Sequence, residues 1–323
     1  MKAAVYTRYG APGVVQLAEV EQPRPKANQL LVKVHASCVN SADVRLRSLR
    51  MPLGFGLISR LVFGMRAPRR PILGVDLAGT VVAVGSEVSR FNLGDAIIAL
   101  TGLTMGAHAE YVCLDANGAI AHKPAQLDFN QAAALVFGGT TALDFLRRGQ
   151  LQAGESILIN GASGAVGCAA LQLARHYGAR ITAVCSDSKR DLVRRLGADE
   201  VVDYQREDFT RSGERYDVIM DTQGNAPWAE SCRALAPGGR LLAVSATLPQ
   251  MLQSLYLPLW ERERVIAGPC AERASDLAEL AALADAGILQ PVIDRTYPLA
   301  QIAEAHAYVD GGHKQGSVVI NIG

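Results

Sequence analysis

No apolar run in this chain reaches the length of about twenty residues that spans a bilayer, so stable membrane insertion is not expected. Charge of one sign is also missing. The 32 basic and 31 acidic side chains leave a formal net charge of +1, which gives no electrostatic footprint for nucleic acid or an acidic partner. Cysteines are few and scattered: Cys38, Cys113, Cys168, Cys185, Cys232 and Cys270 form no close pair. That spacing excludes a disulfide framework or metal knuckle and fits reduced thiols in a cytoplasm. Residues 1–6 alternate like a strand and lack the apolar core of a secretory signal. Internal repeats and low-complexity tracts are absent. With 323 residues, a soluble, cytoplasmic chain of about two domains is expected.

Glycine, by contrast, is placed with a period. Ile157, Leu158 and Ile159 form a short apolar run of buried parallel-strand type. After them come Asn160, Gly161, Ala162, Ser163, Gly164, Ala165, Val166 and Gly167, and then Ala170, Leu173 and Tyr177 at helical spacing. Three glycines spaced three apart allow unusual backbone angles and let another backbone or a pyrophosphate come close. The positive end of the following helix then favours phosphate. A glycine triplet alone also suits a structural turn. The coincidence of strand, turn and helix makes it a dinucleotide-binding candidate, with 161–167 as the contact residues.

Upstream of this turn the chain reads as β-rich. Strands are predicted at 30–36, 79–85, 96–100 and 109–114, closely spaced as in a barrel or sandwich. Residues 44–75 break the pattern, with seven arginines and no acid. A mobile surface loop with apolar anchors, a lid over an apolar substrate and a shallow membrane contact all fit that composition. From about residue 125 strand and helix signals alternate. A helix over 130–149 is interrupted at Phe137-Gly138-Gly139-Thr140-Thr141, and further segments lie at 165–177, 181–184, 189–196, 201–202, 218–220, 228–235 and 241–244. That alternation predicts an open, mostly parallel α/β sheet with crossover helices. Helices over 275–286 and 301–309 and a strand over 317–320 close the chain.

The second strand of such a sheet ends where an adenosine ribose is read. Ser186, Lys189 and Arg190 there supply donors and positive charge for a 2′-phosphate, which favours NADPH, with NADH possible. Asp187 argues the other way, toward NADH. Alternatively Asp187 or Ser188 caps the next helix and the two cations are simply solvated.

These motifs resemble the medium-chain dehydrogenase/reductases, in the zinc-independent quinone oxidoreductase-like branch. The likeness runs through 34–43, 71–79, 137–143, 160–167, Leu196-Gly197-Ala198-Asp199, Val202-Asp203-Tyr204 and Gly311-Gly312-His313. It implies a doubly wound Rossmann domain over 125–264, inserted in a chaperonin-10-like β-barrel catalytic domain formed by 1–124 and 265–323. It also implies a homodimer. The positions that hold the catalytic zinc in alcohol dehydrogenases correspond to Asn40, Val75-Asp76 and Phe137. Valine and phenylalanine cannot ligate a metal, and the six histidines show no metalloprotease-type helix pairing, so no metal is expected.

Without zinc, quinones and α,β-unsaturated carbonyls are the easier acceptors, because hydride addition leaves a delocalised anion. Such a site needs a donor toward the carbonyl oxygen. Asn40 is the candidate, and a strand-end turn role is the alternative. By the same resemblance Thr140 sits in a nicotinamide-contacting turn, Tyr204 near the adenosine phosphate and Lys314 near the cofactor. Many relatives carry a lysine where Ser317 stands, which leaves the Lys314 assignment open. Asp43 is expected to cap or orient the turn that follows Asn40. The function expected is NADPH-dependent reduction of a small quinone or enone. A non-enzymatic NADPH-binding sensor or scaffold is the alternative.

Overall fold

The computed structural model describes residues 1–256 and 263–323, which divide into two compact units. One comprises Met1–Met51, Gly56–Thr140 and Glu272–Gly323, and the other Pro52–Phe55 and Thr141–Ala271.

In the second unit six strands form a wholly parallel sheet. Its spatial order is Glu200–Asp203, Arg180–Cys185, Ser156–Asn160, Tyr216–Asp221, Leu235–Ala243, Arg264–Ile266. Ser156–Asn160 is first in sequence yet central in space. The strand order reverses between it and Tyr216–Asp221, at the switch point where doubly wound sheets receive ligands. Ile157, Leu158 and Ile159 are fully buried, as expected of a strand covered on both faces. Leu158, Val184, Ile219, Leu241 and Val265 share one core cluster. Helix Ala165–His176 buries Cys168, Ala170, Leu171, Leu173 and Ala174. The helix predicted over 189–196 is a 3-10 turn, Asp187–Lys189, followed by a short helix, Arg190–Arg195. That predicted over 228–235 extends only over Trp228–Ser231 before a 3-10 turn. Both are too short for intrinsic helix stability, so packing sets their ends.

The first unit is built on a seven-stranded sheet in the order Ile293–Pro298, Ser317–Asn321, Gln29–Val39, Asp76–Val84, Ala96–Leu100, Ile120–His122, with Tyr111–Asp115 also paired to Gln29–Val39. Only the first pair is parallel. The C-terminal strand Ser317–Asn321 lies against Gln29–Val39, so the chain end completes the N-terminal sheet. Two apolar clusters, one around Tyr6, Leu73 and Ile302 and one around Leu30, Leu77 and Ile97, form the core.

Two expectations need correction. Residues 44–75 are not one loop, because helices Ser41–Ser48 and Gly56–Phe63 occupy much of the segment. Nor is the helix after residue 129 interrupted: Phe129–Arg148 is continuous through Gly138 and Gly139. A Cβ on Gly139 would sit 3.1 Å from a Leu280 methyl. Gly139 therefore admits a neighbouring helix, Ala274–Asp285, and that packing outweighs the cost of about 1 kcal/mol for a glycine within a helix.

Candidate functional site

The glycine turn follows the central strand of the parallel sheet. Gly161 has φ 79°, and a Cβ there would lie 2.4 Å from Thr222 Oγ1 and 2.3 Å from Gln223 Nε2. At Gly167 a Cβ would lie 2.3 Å from Gly161 O, so glycine lets the helix come down on the strand end. Gly164 differs. Its nearest contact for a Cβ is 3.5 Å away, and as N-cap of Ala165–His176 it offers no side chain to the helix. The turn's own bonds separate its amides by role. Gly161 N and Ala162 N donate to Val184 O, and Gly164 N donates to Gly161 O, so these three shape the turn. The first-turn amides of Ala165, Val166 and Gly167 have no acceptor within the helix. With the helix dipole they form a cradle suited to a diphosphate.

Adjacent strand ends supply the other predicted contacts. Ser186 to Arg190 follow Arg180–Cys185, and Tyr204 follows Glu200–Asp203 and is 56% exposed. Neither Asp187 nor Ser188 caps Arg190–Arg195; Lys189 holds that position and makes no side-chain cap. Asp187 Oδ1 instead accepts from Arg190 Nε at 2.8 Å, and this bond holds its carboxyl below the usual range. Arg190 Nη1 also donates to Val201 O at 3.4 Å. Ser186 Oγ and Ser188 Oγ share a 3.1 Å bond.

Sequence reasoning missed the loop after Tyr216–Asp221. Asn160 Nδ2 donates to Asp221 Oδ1 at 2.9 Å and to Asn225 Oδ1 at 2.7 Å. Asp221 also accepts from the amides of Gln223, Gly224 and Ala226. This network ties the two strand ends that flank the switch point. The available signal was Asp221 itself, an acid ending an apolar strand.

In the other unit Asn40 ends strand Gln29–Val39 and caps helix Ser41–Ser48. Its Oδ1 accepts from Ala42 N at 2.9 Å and Asp43 N at 3.4 Å, while Asp43 Oδ2 accepts from Asn40 N at 3.0 Å. This is a reciprocal capping box. Asp43 Oδ1 reaches on to Gly74 N at 2.9 Å, as expected of an orienting residue. The box fixes the Asn40 amide with its oxygen engaged and its Nδ2, which is buried, without a partner. A buried donor left unpaired costs about 1–3 kcal/mol, so it marks a place where a ligand acceptor would be welcome. Beside this strand Asp76 Oδ1 accepts from Cys38 N at 2.9 Å, while Oδ2 is buried and unpartnered. Burial first, and then the neighbouring Asp43, push the Asp76 carboxyl well above its ordinary range.

Thr140 lies inside helix Phe129–Arg148 rather than in a turn, is buried, and donates its hydroxyl to Val136 O. The helical backbone therefore already engages the hydroxyl expected to contact nicotinamide. Lys314 belongs to the first unit, where its Nζ donates to Gly316 O at 2.6 Å and its charge is felt at Cys38 and Asp76. Ser317 Oγ donates to Ala134 O at 3.2 Å. His108 and His306 are core residues whose rings meet edge to face at 5.9 Å. Burial, then His108 and Arg47, hold the His306 imidazole down to about 2. Among the described residues no group of three or more His, Cys, Asp or Glu side chains could hold a metal ion.

Two family descriptions match the chain: "Alcohol dehydrogenase GroES-like domain" over residues 26–125 and "Zinc-binding dehydrogenase" over residues 196–320. Quinone oxidoreductase from Sus scrofa is 33% identical, over 95% of this chain and 93% of its own length. The chloroplastic NADPH-dependent alkenal/one oxidoreductase of Arabidopsis thaliana is 31% identical, over 99% of this chain and 79% of its own. The solved quinone oxidoreductase of Coxiella burnetii superposes with a TM-score of 0.89 at 28% identity, covering 100% of this chain and 99% of that one. The fold and these matches define a medium-chain oxidoreductase with a GroES-like and a Rossmann domain. Within that class, the chain belongs to the quinone oxidoreductase-like branch of the medium-chain dehydrogenase/reductase superfamily.

Proposed function

We propose that this enzyme reduces quinones or α,β-unsaturated carbonyls, using NADPH and no metal. The observation that carries the reading is the Asn40 Nδ2, a buried donor held by its own capping box and left unpaired. NADPH, when bound, supplies the hydride. The cradle fits such a group: Ala165, Val166 and Gly167 amides face a helix end that Gly164 leaves open, and Gly161 and Gly167 keep Cβ atoms out of the turn. As hydride adds to the acceptor's carbon, the electron pair it displaces moves to the carbonyl oxygen. Asn40 donates to that oxygen through Nδ2 without ionising, so the developing anion is stabilised at every working pH. Water then supplies the proton to the product.

The preference for NADPH rests on Ser186, Lys189 and Arg190, and on Asp187 accepting from the Arg190 guanidinium rather than being left to accept from ribose hydroxyls. The metal-free reading rests on donor chemistry, since Val75 and Phe137 offer no ligand atom where a zinc site would need one. Elemental analysis of the purified protein tests it, with less than stoichiometric zinc expected. The six free cysteines fit a reducing compartment such as the cytoplasm, and a homodimer is expected by family likeness. NADPH oxidation against a panel of quinones and enones tests the whole reading. Turnover with at least one acceptor class, and tighter binding of NADPH than NADH, are expected. Tight NADPH binding without turnover of any acceptor would overturn it.

A further inference from the structure

Five exposed large apolar side chains of the first unit fall between Leu57 and Met65. Leu57 is 66% exposed, Ile58 46%, Leu61 55%, Val62 47% and Met65 50%. On helix Gly56–Phe63 positions 57, 58, 61 and 62 share one side, and Met65 continues it. The opposite side is anchored. Ser59 is buried, Phe63 packs on the core, Tyr9 donates its hydroxyl to Gly64 O at 2.9 Å, and Arg69 N donates to Phe63 O at 2.8 Å. The apolar face is therefore held outward by the fold, and it is larger than scattered surface apolar residues explain.

Its rim carries charge of one sign. Arg60, Arg66, Arg69 and Arg70 are exposed, and no acid occurs from Val44 to Val75 in a chain whose net charge is only +1. Arg60 Nη1 donates to Met65 O at 3.0 Å and Arg69 Nη1 to Val62 O at 3.3 Å. Both guanidiniums thus stand at the edge of the apolar stripe. We propose that helix Gly56–Phe63 and its arginine rim dock this enzyme on an anionic lipid bilayer. The aliphatic side chains enter the headgroup boundary while the guanidiniums engage lipid phosphates. A second copy is a poorer occupant, because a two-fold contact through this face would set arginines against arginines. The surface concerns attachment alone and stands whether or not the acceptor class proposed above is right.

Co-sedimentation of the full chain with vesicles of phosphatidylcholine alone, or of phosphatidylcholine mixed with phosphatidylglycerol, tests this. Binding only to the anionic vesicles is expected, weakening as salt is raised. Arg66→Gln with Arg70→Gln should weaken partition about thirty-fold. Leu57→Ser with Leu61→Ser should abolish it, with melting unchanged because both side chains are exposed. Failure of the wild-type chain to bind anionic vesicles at low salt would overturn the proposal. So would binding that survives the serine pair. Sedimentation velocity adds a third overturning result, self-association of the wild type that the serine pair removes, since the face would then join two copies.

Discussion

Two helices in this protein begin in opposite ways. Helix Ser41–Ser48 starts at Asn40, whose side chain accepts from the helix amides while Asp43 returns the bond. Helix Ala165–His176 starts at Gly164, which has no side chain to offer its first-turn amides. The first start is capped by a side chain, and the Asn40 Nδ2 is left as a buried spare donor. The second is open, and its spare donors are backbone amides added to by the helix dipole. A closed start can place a single neutral donor accurately, which suits a carbonyl oxygen. An open start offers several convergent donors, which suits a diphosphate. On the proposed reading, one chain uses the same element of secondary structure for two recognition tasks.

Substitutions can break this contrast. The largest effect is expected at Gly167. In Gly167→Ala the new methyl meets Gly161 O at 2.3 Å, so stability should fall by about 1–3 kcal/mol. NADPH should then lose most of its ability to raise the melting temperature, as thermal shift with and without nucleotide would report. Asn40→Ser comes next. It keeps an oxygen for the cap but removes Nδ2, so kcat should fall about a hundredfold with little change in melting temperature or NADPH affinity. An unchanged kcat would remove Asn40 from the chemistry.

Gly164→Ser sharpens the comparison from the other side, by closing the open start. There is room for the side chain, and a serine cap should alter stability by only a few tenths of a kcal/mol. NADPH affinity should nonetheless drop roughly tenfold, because the hydroxyl would compete for the amides proposed to hold phosphate. Isothermal titration would read it. The smallest effect concerns Asp76. Its carboxyl is raised in the folded state, so the native protein binds more protons than the unfolded chain. Asp76 therefore costs stability progressively as pH rises above the ordinary carboxylate value. Asp76→Asn should be the more stable protein at neutral pH, and the gap should close as pH falls below about 4. Urea unfolding across pH would measure it.

The turn at 161–167 was legible because each of its constraints is local. Residues 157–159 cannot be solvated cheaply, Gly161 needs a left-handed backbone, and Gly167 comes too close to the Gly161 carbonyl to carry a Cβ. The strand at 96–100 was legible for the same reason. The region 137–141 was misread because two glycines and two threonines argue for a turn, whereas the deciding fact is Leu280, far off in sequence, packed against Gly139. Helix Gly56–Phe63 was hidden for a related reason. Its apolar residues face outward and give no core-facing stripe, while its anchors, Tyr9 and the cluster around Phe63, are remote.

The sequence by itself determined the alternation of strands and helices, the glycine turn at 161–167 and the absence of ligand atoms at Val75 and Phe137, because these depend on side-chain chemistry and short-range geometry. The tertiary structure alone decided that the Asn40 amide keeps a spare donor, that Asp187 turns to Arg190, and that Thr140 lies within a helix. Each of those outcomes depends on which polar atoms already have partners, and partnership is fixed only when the chain has closed around them.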